Sequence, residues 1–338
     1  MSTVQASRPA PERHSPVDHL HALVASDMVA TDKVIHERLS SAVALIPDLS
    51  LHLIDSGGKR LRPLLTLAAA KLCGYAGDAH VKLAAAVEFI HTATLLHDDV
   101  VDASSLRRGK DAANVVWGNK PSILVGDFLF SRAFQLMVET GNISVLDILA
   151  GASAVIAEGE VLQLKSANNL AVSQAEYMRV VTAKTATLFA AAAEAGATLA
   201  KAPLEAIEGL RAYGHNLGIA FQLVDDALDY SGREKQMGKS VGDDFREQKV
   251  TLPVIFAYNR ADDEGRAFWE RTIQVGTQHQ VDLSRAIAYV EQTGGISDTR
   301  AMAQRYVDAA CEALSVLPRG EIRDTLAAVA RISVERAS

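Results

Sequence analysis

Apolar residues recur every three to four positions along most of the chain, and Gly, Pro and polar clusters separate the runs. That period predicts helices rather than strands. Helix is expected over 16–39, then over 47–55, where Ser56-Gly57-Gly58 breaks it. Pro63, acceptable in a first turn, leads into 64–72, and a long apolar run covers 81–101. A polar loop over 103–119 precedes helices at 121–138 and 143–164. Ser173-Gln174-Ala175-Glu176 has capping-box spacing and opens a helix that meets Lys184-Thr185 and an alanine-rich segment to Ala200. A long helix follows over 203–230, then a lysine-containing loop over 231–249, long enough to serve as an active-site flap. Helices at 250–259, 264–275, 283–292, 297–316 and 322–334 finish the chain. Residues 1–15 carry little to bury and read as a disordered tail. No linker divides the remainder, so 16–338 is expected to form one all-α domain.

Two of these helices end in the same unusual way. Leu95-Leu96-His97-Asp98-Asp99-Val100-Val101-Asp102 and Gln222-Leu223-Val224-Asp225-Asp226-Ala227-Leu228-Asp229 share an Asp-Asp-x-x-Asp pattern in an apolar setting. Aspartates four apart sit one above the other on a helix and repel. They also lie at C-terminal ends, where the helix dipole disfavours negative charge. A solvated acidic helix end is the common fate of such a cluster, but the apolar flanks and the repetition point to a divalent cation that offsets the repulsion. All-oxygen ligation suits magnesium, which keeps several waters and takes one or two carboxylates plus substrate phosphates.

Cations follow the acids: Arg107, Arg108 and Lys110 after the first cluster, Lys239 and Lys249 after the second, with Lys59, Arg60 and Arg62 forming a third group. One such residue is most simply a surface ion pair of little worth. As a set, metal-binding carboxylates and phosphate-binding cations describe a diphosphate. The formal charge of −7 argues against nucleic-acid binding. Cys73 and Cys311 form no metal motif or disulfide framework, which fits a reducing cytoplasm. No apolar run is long enough for a membrane span, and the first residues lack a signal-peptide core. Gly238-Lys239-Ser240 fails as a P-loop, because Arg233 stands where a glycine is required. Glu88-Phe89-Ile90-His91 has the Glu-x-x-His spacing of di-iron bundles but no second copy, so His91 reads as a core histidine.

The motifs together resemble the trans-isoprenyl diphosphate synthases, or polyprenyl synthetases, from about Val17 onward. They are Gly57-Gly58-Lys59-Arg60-Leu61-Arg62-Pro63, the two Asp clusters, Arg107-Arg108-Gly109, Gly126-Asp127-Phe128-Leu129, Lys184-Thr185, Phe221-Gln222, and Gly238-Lys239-Ser240-Val241-Gly242-Asp243-Asp244 running on to Lys249. Gln248 stands where relatives usually carry glycine, and Ala103 where they often carry an acid or another polar residue. The resemblance implies an all-α isoprenoid synthase fold, helices around a deep central cavity, and a homodimer. It implies head-to-tail condensation of isopentenyl diphosphate with an allylic diphosphate, farnesyl or geranylgeranyl. Asp98, Asp102 and Asp225 would bind magnesium, three ions with substrate present, while Asp99, Asp226 and Asp229 support them or join through water. Arg107, Lys184, Lys239 and Lys249 would hold the allylic diphosphate, with Thr185 and Gln222 lining that site. Lys59, Arg62, His91 and Arg108 would hold isopentenyl diphosphate, which gives His91 a role that its sequence context alone does not.

Ala93 and Thr94 lie one turn before Asp98, roughly 6–7.5 Å along the helix axis. In the family a bulky aromatic there gives a short product. These small residues imply an open tunnel and a long product, octaprenyl or decaprenyl diphosphate for quinone side chains. Ile90 and Val87 come next, and Met137, Leu146 and Leu149 are candidates for a floor. Release of such a product would fit loose membrane association of a cytoplasmic enzyme. Two other functions fit less well. A class I terpene cyclase usually has an Asn/Ser/Glu triad on its second metal helix and would not need Lys59, Arg62 and Arg108. A non-catalytic partner subunit usually shows eroded motifs, and both Asp motifs are intact here.

Overall fold

The computed structural model describes residues 15–231 and 241–335. In chain order the helices are α1 (Pro16–Leu23), α2 (Ala25–Leu39), α3 (Leu45–Ile54), α4 (Leu61–Leu72) and α5 (Ala79–Val101). A two-strand hairpin, β1 (Leu106–Arg107) with β2 (Lys110–Asp111), leads to α6 (Ala113–Trp117), α7 (Asn119–Glu139), α8 (Ile143–Ser166) and α9 (Gln174–Val181). A π-helical turn, Thr182–Ala186, joins α9 to α10 (Thr187–Leu199). Then come α11 (Leu204–Asp229), α12 (Asp243–Arg246), α13 (Leu252–Arg260), α14 (Asp263–Trp269), α15 (Asp282–Gln292), α16 (Gly295–Ala313) and α17 (Glu321–Glu335). Apart from the two-strand hairpin, the regular structure of the described residues is therefore all helical, as the sequence pattern predicts.

The local chemistry explains most boundaries. Ser15, at the edge of the expected tail, caps α1 with a reciprocal bond to Asp18, and Ser173 does the same for α9 with Glu176. α5 ends at Asp102 because Ala103 turns left-handed (φ 50°) and Ser104 N–H bonds back to the Asp99 carbonyl at 3.0 Å. The core is built on α10, which packs against α4, α5, α8 and α11, while α5 also lies along α7 and α11 along α16. The two Asp-bearing helices thus run through the interior, and their C-terminal ends emerge from it.

Four expected elements differ. The helix expected over 16–39 breaks at Val24 without Gly or Pro, and the break lets Leu20, Val24 and Met28 all bury in one apolar cluster. The loop expected over 103–119 is the hairpin plus α6. Its two turn residues, Arg108 (φ 53°) and Gly109 (φ 77°), both take the positive φ that a tight type I′ hairpin needs. Within the loop expected over 231–249, α12 forms at Asp243. The helix expected over 264–275 widens to a π turn at Glu270–Gln274. Lys239, expected to hold the allylic diphosphate, lies outside the described residues.

Candidate active site

Asp98 and Asp102, one turn apart at the end of α5, are each approached by an ammonium. Lys184 Nζ, on the π turn, lies 3.7 Å from Asp98 and 2.8 Å from Glu160 of α8. Lys249 Nζ lies 2.9 Å from Asp102 and 2.5 Å from Glu247. Burial pushes the Asp98 carboxyl up to about 7; Lys184 opposes the shift, and Glu160 and Asp102 reinforce it. Burial works against the charge on Lys249, but Asp102, Glu247 and Asp244 outweigh it and the amine shifts upward. The lysines therefore leave an excess of negative charge at the mouth of α5. Among the described residues no three acidic, His or Cys side chains converge into a ready-made metal cage. Paired carboxylates short of positive charge are the donor set that magnesium uses when substrate phosphates complete its shell, so these residues fit that ion.

The middle aspartates face elsewhere. Asp99 is fully buried and accepts from Arg107, whose Nε is 2.9 Å away and whose Nη2 also donates. Its backbone carbonyl accepts from Asn114 at 3.0 Å. Burial raises the Asp99 carboxyl despite Arg107. Asp226, expected among the catalytic carboxylates, is also buried and turns toward α9. It accepts from the Tyr177 hydroxyl and, at 2.8 Å, from Gln222 Nε2. Burial pushes it up to about 7, against those two hydrogen bonds. Asp229 accepts backbone N–H groups from Gly242, Asp243 and Asp244 at 3.1, 3.1 and 3.0 Å, and so anchors the start of α12. Burial nevertheless raises it to about 6. Asp225 shares a narrow cleft with Lys59, Leu61, Phe221, Leu228 and Val329.

A second cationic group gathers where the loop before α4 meets the hairpin. Arg62 Nη1 donates to His91 Nε2 at 3.1 Å, and its guanidinium stacks 4.3 Å from the Phe189 ring. Arg108 donates to the Gly57 carbonyl and lies against the backbone of Gly58. Burial lowers Arg62 to about 10, and Glu88 partly restores it. Burial, then Arg62, Arg108 and Arg107, hold His91 well below its ordinary value, in keeping with a neutral ring whose Nε2 accepts the hydrogen bond from Arg62. Lys59 is exposed and lines the cleft that holds Asp225. Glu88, one turn before His91, is buried and raised by that burial, although Arg60, Arg62 and Arg108 pull it down.

Thr185 Oγ1 donates to Gln222 Oε1 at 2.9 Å, which links the π turn to α11. Gln248, the departure from glycine, takes the glycine conformation (φ 57°). Its N–H bonds to Phe245 O at 3.1 Å and the next N–H to Asp244 O at 2.8 Å, a complete Schellman cap of α12. Lys249 is thereby aimed at Asp102 despite the substitution. Ala93 is fully buried in the same apolar cluster as Val87, Ile90, Met137 and Leu149, with Leu146 packed against it; Thr94 is half-buried. Sequence reading missed Glu160, Tyr177 and Asn114. None belongs to a motif, and each is identified only by what it touches. Glu88 was visible only as a spacing that fails for di-iron sites.

Comparison with known proteins gives a consistent result. A model of the family described as "Polyprenyl synthetase" matches residues 43–290. The octaprenyl diphosphate synthase of Escherichia coli (strain K12) is 44% identical over 320 residues, 95% of this chain and 99% of that protein. The crystal structure of a polyprenyl synthase from Caulobacter crescentus CB15, complexed with calcium and isoprenyl diphosphate, is 52% identical. It superposes with a TM-score of 0.93 over 97% of this chain and 100% of that one. A decaprenyl diphosphate synthase from Rhodobacter capsulatus is 54% identical, with a TM-score of 0.92 over 96% and 100% of the two chains.

Proposed function

Because the chain belongs to the polyprenyl synthetase family and is a prenyltransferase, we propose that it joins isopentenyl diphosphate head-to-tail to an allylic diphosphate, farnesyl or geranylgeranyl, and repeats the step to a long all-trans product. The observation that carries this is the meeting of two carboxylates and two ammonium groups at the end of α5, with a separate guanidinium group at the loop before α4. One anionic pocket short of cations and one cationic pocket suit one metal-bound diphosphate and one metal-free diphosphate.

Dependence on magnesium is a family trait. In this reading Asp98, Asp102 and Asp225 would hold the ions, three with substrate present, and the metal would supply Lewis-acid withdrawal of charge from the leaving diphosphate. Lys184 and Lys249, which stand beside Asp98 and Asp102, would bind the same diphosphate with Arg107 and Lys239. Their attraction grows as the C–O bond breaks and charge accumulates on the leaving oxygen. Lys59, Arg62, His91 and Arg108 hold isopentenyl diphosphate with its double bond toward the allylic carbon. That double bond attacks the delocalised allylic cation, and the departing diphosphate takes the proton that is lost. Burial of the pocket keeps water from trapping the cation.

Long product length rests on Ala93 and Thr94, and octaprenyl or decaprenyl diphosphate for quinone side chains is the expected outcome. Ala93→Tyr should shorten the product by several isoprene units, read by sizing the dephosphorylated alcohols. Full-length chains from this variant would overturn the tunnel placement. Ile123 and Leu124 near the start of α7, and Phe134 and Val138 near its end, are exposed apolar residues on one face, with Asp127 and Ser131 between them; this is the face proposed to pair with a second copy, and sedimentation equilibrium at twice the chain mass checks it. No helix among the described residues is long and apolar enough to cross a membrane; release of product at a membrane surface belongs to the proposal.

The decisive assay gives the purified chain labelled isopentenyl diphosphate and farnesyl diphosphate with magnesium. Label in long prenyl alcohols after phosphatase treatment is expected. A cyclic hydrocarbon without label would point to a cyclase, and no turnover without another protein would point to a partner subunit.

A further inference from the structure

The π turn Thr182–Ala186 places Lys184 and Thr185, and its fit against its neighbours is unusually close. A side-chain carbon built on Gly159 of α8 would stand 2.7 Å from Ala183 Cβ and 3.2 Å from Lys184 N. One built on Gly218 of α11 would stand 2.6 Å from Ala186 Cα. The turn is thus held between two helix backbones. π turns of this kind often occur at functional sites.

A chain of hydrogen bonds spans the same gap. Tyr177 on α9 donates its hydroxyl proton to Asp226. The other Asp226 oxygen accepts from Gln222 Nε2 at 2.8 Å, and Gln222 Oε1 accepts from Thr185 Oγ1 at 2.9 Å. With Asp226 ionised, both of its oxygens accept, and the Gln222 amide then presents its oxygen to Thr185. Tyr177 and Asp226 are both buried, so water does not substitute easily. Tyr177 lies two helical turns ahead of Lys184, touches neither Asp98 nor Lys184 through any of these bonds, and belongs to no motif.

We propose that Tyr177 is a positioning residue for the allylic half of the site: through Asp226 and Gln222 it fixes Thr185, and with it the π turn that aims Lys184 at the Asp98 side of the pocket. This rests on the assignment of Lys184 to the allylic diphosphate. Asp226 then acts as the central link of the chain and not as a metal ligand.

The test is a kinetic split. Tyr177→Phe removes one hydroxyl and leaves Asp226 short of a donor. It should raise KM for farnesyl diphosphate about tenfold, the effect of one hydrogen bond, with KM for isopentenyl diphosphate within about twofold. Thr185→Val cuts the far end and should do the same, and the double variant should be no worse than either alone. Equal rises in both KM values, or additive effects of the two substitutions, would mean general loosening and overturn the proposal. Lys184→Met is the control for the premise. If it leaves the farnesyl diphosphate KM unchanged, the site assignment itself fails. If it raises that KM while Tyr177→Phe does not, only the positioning role fails. Should Tyr177→Phe not fold, Thr185→Ser, which keeps the donor, should raise the KM less than Thr185→Val; equal rises would overturn the proposal.

Discussion

Asp98→Asn should lower kcat on the order of 10²–10³-fold while raising the melting temperature of the metal-free protein above neutral pH. The two effects have one cause. Asp98 is a carboxylate in a buried place beside Glu160 and Asp102, and its affinity for a proton rises to about 7 from an ordinary 3.8. A group that holds its proton more tightly folded than unfolded stabilises fully below the unfolded value and loses that contribution as pH climbs through the folded one. Metal-free protein should therefore lose stability between about pH 4 and pH 7, and Asp226 and Asp229, raised to about 7 and about 6 by burial, act in the same direction. Asparagine removes the Asp98 share of this loss and, with it, the charge that attracts a cation. Melting curves from pH 4 to pH 8, with and without magnesium and inorganic diphosphate, check both halves. The ligands should restore the wild type at high pH and help the variant much less. A variant that melts lower than wild type at pH 8 would show that Asp98 is structural.

Its neighbour should behave in the opposite way. Asp99→Ala should destabilise the fold by about 3 kcal/mol, the lower end of what breaking a buried ion pair costs. The lower end applies because Arg107 also feels Asp98 and Glu247. Asp99 is fully buried, and both Arg107 contacts end on its Oδ1. Alanine would leave the guanidinium without its partner and release the hairpin that presents Arg108. Urea unfolding should show a lower midpoint with an unchanged slope. Replacing both charges by apolar groups of similar volume, Asp99→Leu with Arg107→Met, should recover most of the stability but not the activity, because burial of the pair is itself costly. If Asp99→Ala unfolds like wild type, the ion pair contributes nothing and the hairpin is held by other contacts.

These two predictions mark where sequence reading stops. The spacing of Asp98, Asp99 and Asp102 indicates that the cluster is electrostatically costly, and the repeat in α11 suggests a shared ligand. Spacing alone does not say which aspartate faces which way. That depends on Arg107 reaching back from a hairpin and on Tyr177 reaching across from α9, both tertiary contacts. Local signals were legible where the chemistry is local: the Ser15 and Ser173 caps, the Gly57-Gly58 break, the polar gap after Asp102. They failed where packing overrides propensity, as at Val24, which ends α1 with no breaker residue, and at Arg108-Gly109, whose paired positive φ values make a hairpin out of what reads as a polar loop. Gln248 is the converse case. The backbone shape expected of glycine survives in a residue that disfavours it, because the α12 cap satisfies two amide groups. Conformation there is set by hydrogen bonding more than by residue type, and Lys249 keeps its reach.

The turn at Thr182–Ala186 also bears on how this region can change. A π turn holds one residue more than an α turn. Loss of any single residue there would leave a helix that is locally sound, with every backbone bond remade. Because the widened turn absorbs its extra residue locally, that loss would keep Leu188, Ala192 and Ala195 of α10 facing the core; what would move is the turn itself, and with it Lys184 and Thr185. A one-residue deletion within α10, by contrast, would turn every later residue of that helix by about 100°. The length of the turn is therefore a constraint of the site more than of the fold.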